Sequence, residues 1–90
     1  MTFNEFQEQC LKALKGFEPL VIKFSEKEHR RQGMDSQVGA WELYIQSGGG
    51  GVLEYQHDTN ECYVDCGGCS YFSNLEDSLS HVVKKGKFNA

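Results

Sequence analysis

Residues 41–56, WELYIQSGGGGVLEYQ, decide the fold of this chain. Apolar and polar side chains alternate on both sides of the glycine run, which is the pattern of two β-strands that each bury one face. The glycines from Gly48 to Gly51 predict the reversal between the two strands. A third strand is predicted at residues 62–66, CYVDC, after a turn at residues 58–61. Together these segments predict an antiparallel meander with one covered face and one wet face.

The alternation also assigns each side chain of the meander to one face, because successive residues of a strand point to opposite sides. The inner, covered face is predicted to carry Trp41, Leu43, Ile45, Leu53, Tyr55, His57, Cys62, Val64 and Cys66. The outer face is predicted to carry Glu42, Tyr44, Glu54, Tyr63 and Asp65.

The segments on either side of the meander predict two helices and one more strand. Thr2 with Glu5, and Ser73 with Glu76, have the spacing of a capping box, and an apolar stripe at three- and four-residue intervals follows each pair. Between the first helix and the meander, residues 20–24, LVIKF, alternate like a strand. The sequence therefore predicts a helix at each end of the fold and a strand before the meander.

A third capping pattern, Ser25 with Glu28, has no apolar stripe behind it, so we expect at most a turn or two of helix before Gly33. The predicted order is α-β-β-β-β-α. We therefore expect one small α+β domain over residues 1–90, with a mainly antiparallel four-stranded sheet and both helices on its inner face.

Charge is segregated along the chain. Residues 32–83 contain no lysine or arginine but eight acidic residues, so this window has a formal charge of −8. The remaining residues include nine basic and five acidic side chains and sum to +4, which gives the net charge of −4. A negative window of this kind attracts basic partners and repels phosphate backbones, so we do not expect this surface to bind nucleic acid directly.

The acidic residues and tyrosines of the outer face are the candidate partner-binding site. Tyrosine is a frequent interface anchor, and a partner rich in arginine or lysine would relieve repulsion among the carboxylates. The alternative is that these acidic residues only keep a small domain soluble. The candidate site consists of Glu42, Tyr44, Glu54, Tyr63, Asp65 and the turn residues Asp58 and Glu61.

These features favour a non-enzymatic protein-interaction module, acting as a regulator or inhibitor that docks on the basic surface of a nucleic-acid-handling protein. Small inhibitors carried by phages and other mobile elements share this general character, which is an analogy only. None of the three histidines, His29, His57 and His81, stands in a sequence setting that suggests a nucleophile–base pair. The chain lacks a secretory signal and any apolar run of membrane-spanning length, so we expect a cytoplasmic protein.

The cysteine cluster Cys62, Cys66 and Cys69 leaves two alternatives open. With His57 it could form a four-ligand zinc site of a structural module, although Cys62 and Cys66 lie far apart along one strand. Alternatively, Cys66 and Cys69 have the Cys-x-x-Cys form of a thiol redox protein, although no helix begins directly after them. The interpretation we favour needs no cofactor and treats Cys62 and Cys66 as small buried side chains.

Overall fold

The computed structural model of the chain describes residues 1–16, 21–30, 37–46 and 50–85. These residues form two helices and a five-stranded antiparallel sheet, which confirms the predicted α+β class. The elements are α1 (Phe3–Ala13), β1 (Ile22–Arg30), β2 (Gln37–Ile45), β3 (Gly51–Gln56), β4 (Cys62–Asp65), β5 (Cys69–Phe72) and α2 (Leu75–Lys85). Predictions that concern Leu20, Gly33, Gly48, Gly49 and Gly86 lie outside the described residues.

The amino end of α1 has the predicted capping box. The backbone N–H of Glu5 donates to the Thr2 hydroxyl at 3.1 Å, and the backbone N–H of Thr2 donates to the Glu5 carboxylate at 3.0 Å. Two backbone donors that the helix leaves free are thereby satisfied. The backbone hydrogen bond and then the hydroxyl of Thr2 lower the pKa of the Glu5 carboxyl.

Helix α2 begins one residue later than its capping pattern predicts. The backbone N–H of Asp77 donates to the Asn74 side-chain oxygen at 2.8 Å, and the Asn74 amide donates back to the Asp77 carboxylate at 3.1 Å. Asn74, paired with Asp77, therefore takes the capping role predicted for Ser73 with Glu76. Asparagine is as good an N-cap as serine, so the local sequence offers two neighbouring starts.

Each strand of the sheet pairs with its neighbour in sequence, in the order β1-β2-β3-β4-β5. In the central register Leu43 lies opposite both Phe24 and Leu53, and Leu53 lies opposite Val64. Residues that face one another across an antiparallel pair point to the same side, so these four side chains share the inner face.

The structure corrects the predicted sheet in two places. First, residues 69–72 form a fifth strand, where we expected none. Only four residues pair there, and they include no run of alternating apolar side chains, so the pattern was too short to detect. Second, Ser25 opens no helical turn, because β1 continues through it to Arg30 and Ser25 pairs with Glu42. Nine residue pairs with β2 override the local capping pattern.

Both helices cover the inner face, as predicted, and the core lies between the two layers. Phe6 of α1 is fully buried and packs on three aromatic rings of the sheet, with centroid distances of 5.7 Å to Tyr55, 5.8 Å to Trp41 and 6.0 Å to Phe24. The inner-face prediction is confirmed by the buried side chains of Trp41, Leu43, Ile45, Leu53, Tyr55, Cys62 and Val64.

Candidate functional site

The outer face of the sheet is the side opposite the two helices, and its residues fall into rows across the strands. One row runs Ser25, Glu42, Glu54, Tyr63, Tyr71, and the next runs Lys23, Tyr44, Val52, Asp65, Cys69. The register therefore places all five outer-face residues of the candidate site, Glu42, Tyr44, Glu54, Tyr63 and Asp65, on one side of the sheet.

The exposure of this face changes from its middle to its β5 edge. Glu42, on β2, is only 3 % exposed, and its carboxylate accepts a hydrogen bond of 2.5 Å from the Tyr44 hydroxyl. Asp65 and Tyr71, on β4 and β5, are exposed, and Tyr71 retains 79 % of its accessible surface. The β4–β5 end of this face is therefore open to solvent, whereas Glu42 is shielded from it.

Four residues at that open end form what we call the tyrosine corner: Tyr63, Asp65, Cys69 and Tyr71. Tyr63 lies opposite Tyr71 in the register, and Asp65 lies opposite Cys69. The centroids of the two tyrosine rings are 5.1 Å apart, and the ring planes are inclined to each other by 57°. Asp65 stands two residues from Tyr63 on the same strand, which separates their Cα atoms by about 7 Å. The corner thus joins two aromatic rings and one carboxylate on a single surface.

The hydroxyl of Tyr63 is engaged within the corner. It shares a hydrogen bond of 2.7 Å with the Cys69 thiol. This bond, followed by desolvation and by the nearby acidic groups Cys69 and Asp65, raises the pKa of Tyr63 to about 12. The phenol is therefore neutral at physiological pH, and its hydroxyl is engaged by the Cys69 thiol.

The two turn residues of the candidate site, Asp58 and Glu61, are exposed between β3 and β4. The turn is held by Asn60, which has a positive φ of 66° and accepts a hydrogen bond from the Tyr55 hydroxyl. Asparagine tolerates this left-handed conformation better than most residues. The acidic turn is thus tied through Tyr55 to the aromatic core.

His57 and His81 each contact an aromatic ring. His57, which we expected on the inner face, is exposed just beyond β3, and its ring lies 4.6 Å from that of Trp41. His81 of α2 lies 5.0 Å from the ring of Phe72. Both rings thus extend aromatic packing at the margin of the core.

Two of the four cysteines lie in the core. Cys10 of α1 and Cys62 of β4 are 0 % and 2 % exposed, and burial raises the pKa of their thiols to about 12 and about 11. Cys62 also lies close to Ser78, which moderates its shift. Ser78 is itself fully buried, and its hydroxyl donates to the Leu75 carbonyl at 2.7 Å. These thiols fill space between helix and sheet.

The other two cysteines lie on opposite sides of the sheet. The Cys66 sulfur occupies the space beside Gly51, where an added Cβ would come within 2.7 Å of it. Gly51 pairs with the buried Ile45, so this contact is on the inner face, whereas Cys69 is exposed on the outer face beside Tyr63. The sequence predicts Gly51 as part of the reversal, but it is the first residue of β3. It must be small because the Cys66 sulfur fills the space beside it.

The structure accordingly does not gather the alternative zinc ligands or align the Cys-x-x-Cys pair. Cys62 points into the core and Cys69 points away from it. Across the described ranges, which include all four candidate ligands, no group of three or more His, Cys, Asp or Glu side chains could hold a metal ion.

Thiol labelling tests this placement. In a brief iodoacetamide pulse at pH 8, we expect Cys69 to react first and Cys10 and Cys62 to react at least about a hundredfold more slowly, because they are buried and scarcely ionised. Peptide mass spectrometry would give the four rates, and the same pulse in urea, where all four should react alike, is the control. Equal rates for Cys62 and Cys69 in the folded protein would contradict the structure. If Cys69 reacts slowly and a chelator makes it react faster, the result would favour the zinc alternative.

On the other layer of the molecule, a groove of about 860 Å³ runs between α1 and α2. Lys12 and Lys84 line it together with the apolar side chains of Ala13, Leu79 and Val83. This groove is separated from the tyrosine corner by the whole thickness of the sheet and the core.

Each described helix has eleven residues, and none is long and apolar enough to cross a membrane.

Tyr71 is the residue of the open end that our sequence reasoning missed. Its assignment required recognising β5, after which alternation places Tyr71 on the side of Tyr63. The four residues of β5 were too short a segment to show this alternation in the sequence. Comparisons with known protein families, with curated proteins and with solved structures found no match for this chain.

Proposed function

We propose that this protein is a non-enzymatic interaction module that docks on the basic surface of another protein through the open end of its outer face. The observation that carries this proposal is the tyrosine corner, where the exposed Asp65 and Tyr71 stand beside the half-buried Tyr63. Tyrosines are enriched at protein interfaces because one rigid ring buries a large area at little entropic cost.

The charges around the corner support a basic partner. Among the outer-face side chains that the structure describes, Lys23 on β1 is the only cation. It lies three strands away from Asp65, which corresponds to about 14 Å, beyond the screening length at physiological salt. The exposed Glu61 precedes Tyr63 by two residues and adds a further negative charge near the same end.

Proteins that handle nucleic acid present basic surfaces to the phosphate backbone, and they are the class of partner that we propose. A module that occupied such a surface would compete with nucleic acid, which is the action of a regulator or inhibitor. Repulsion between the acidic surface and phosphates argues against direct binding of nucleic acid by this chain.

Charge reversal at the open end tests the docking face. A partner identified by capture on the immobilised protein should bind the Glu61→Lys/Asp65→Lys double variant at least about tenfold more weakly at low salt, because favourable contacts become repulsive. The binding of the wild type should weaken as salt is raised. Isothermal titration calorimetry at two salt concentrations would measure both effects. Glu42 is left unchanged, because reversing a buried charge would also perturb the fold.

The matched control is Glu8→Lys/Glu76→Lys, which makes the same change in net charge at two exposed positions on the helices. We expect its affinity for the partner to stay close to that of the wild type. Equal losses in the two double variants would mean that net charge alone governs binding, and the docking role of the outer face would then be wrong.

A further inference from the structure

We propose that the tyrosine corner binds an arginine side chain of the partner, in preference to a lysine. This inference rests on the proposed function, since it names the group that the docking face recognises. It depends on three features of the corner: the exposed ring of Tyr71, the inclined ring of Tyr63 and the carboxylate of Asp65.

The rings provide the stacking surface. Tyr71 is the most exposed of the large hydrophobic side chains among the described residues, at 79 %, so its ring is open to a planar group. Tyr63 lies 5.1 Å away at an angle of 57°, so the two rings present differently oriented surfaces at one point. A cation over an aromatic ring is attracted by the negative charge density of its face, and arginine makes this contact more often than lysine.

The carboxylate provides the second contact. Asp65 is exposed on the same face, and the structure gives it no ion pair with any described residue. A guanidinium group is planar and can stack on a ring while the N–H donors on its edge point to a carboxylate, which an ammonium group cannot do. The spacing of about 7 Å between neighbouring positions on one side of a strand suits this arrangement.

The hydrogen bond of the corner supports the same orientation. The Tyr63 hydroxyl forms a hydrogen bond of 2.7 Å with the Cys69 thiol, and this bond holds the Tyr63 ring in place on the outer face. A ring that is already fixed loses little freedom when a partner stacks on it, which favours binding.

The experiment compares two peptides of equal length and charge, hexa-arginine and hexa-lysine, by titration against the full chain at low salt. We expect the arginine peptide to bind at least about fivefold more tightly, because a stacked guanidinium gains a contact that lysine lacks. Chemical shift changes in a ¹⁵N spectrum should centre on residues 63–71.

Two variants identify the source of the preference. Tyr71→Leu keeps an apolar side chain at an exposed position but removes the aromatic ring, so the arginine preference should fall to about twofold or less while the weaker charge attraction persists. Asp65→Asn should weaken both peptides, and Glu76→Gln, the same loss of charge on α2, should leave both affinities unchanged. Circular dichroism would confirm that each variant is folded.

Each other outcome overturns the inference. Equal binding of the two peptides would show that charge alone is recognised, and the proposed docking function would stand without an arginine site. If neither peptide binds, the corner does not recognise an exposed arginine, and the charge-reversal experiment then judges the docking face by itself. If the chain forms a dimer that Tyr71→Leu abolishes, the corner belongs to a second copy of this protein.

Discussion

Replacement of Phe6 by alanine is expected to lower the free energy of unfolding by about 3–5 kcal/mol. Phe6 is fully buried, and its ring packs on those of Tyr55, Trp41 and Phe24. Alanine would lose both the transfer free energy of the ring and its contacts with three neighbours, and the helix and sheet could not close the space without shifting. Urea unfolding followed by circular dichroism would measure the change.

This loss is comparable with the whole stability of many domains of this size, about 5–15 kcal/mol, so the variant should unfold at a much lower urea concentration or fail to fold. Leu11→Ala is the matched control on the same helix, because Leu11 is 50 % exposed and should cost less than about 1 kcal/mol. If the two substitutions cost the same, α1 does not pack on the sheet through Phe6, and the described core is wrong.

Alkaline pH is expected to destabilise the protein through its two buried thiols. In the unfolded chain, Cys10 and Cys62 lose their protons near the ordinary pKa of 9.0, whereas burial raises the pKa values in the folded protein to about 12 and about 11. Above pH 9 the unfolded chain therefore binds fewer protons than the folded chain, so stability falls as pH rises. The stabilising contribution is complete below pH 9 and is lost towards pH 11 and 12.

The maximal slope expected from linkage is about 1.4 kcal/mol per pH unit for each thiol, which integrates to about 4 kcal/mol for the pair between pH 9 and pH 11. Urea unfolding at several pH values would measure it. Cys10→Ala should make the decline shallower by about 1.4 kcal/mol per pH unit, because it removes one of the two buried thiols. The remaining titratable side chains are the same in the wild type and in Cys10→Ala, so equal slopes for the two proteins would contradict the burial of that thiol.

The alternation of apolar residues in the strands and the apolar stripes and caps of the helices were sufficient to predict the α+β class and most of the inner face. These patterns follow from the regular backbone geometry of strands and helices. The prediction failed where pairing between strands outweighed local preference. Ser25 belongs to a long strand because β2 supplies its partners, and residues 69–72 form a strand because β4 offers an edge. Asn74 rather than Ser73 caps α2, and the local sequence could not decide between them because serine and asparagine cap helices about equally well.

The sequence was sufficient to predict the side of the sheet on which the candidate residues lie, but not how exposed each side chain is. The side on which Glu54, Tyr63 and Asp65 lie follows from the alternation of side chains along each strand. The exposure of a side chain depends instead on the neighbours that surround it. Glu42 shares that side and is nevertheless buried. Tyr71 could be assigned to the site only once β5 was known.

The sequential strand order has a consequence for how the protein is made. Hairpins between adjacent segments require short loop closures, so the sheet can assemble stepwise while the polypeptide leaves the ribosome. One helix emerges before all five strands and the other after them, and both cover the same side. The part of the apolar layer that α2 covers therefore stays open to water until this final helix arrives, and a chain halted after the last strand would be prone to aggregate.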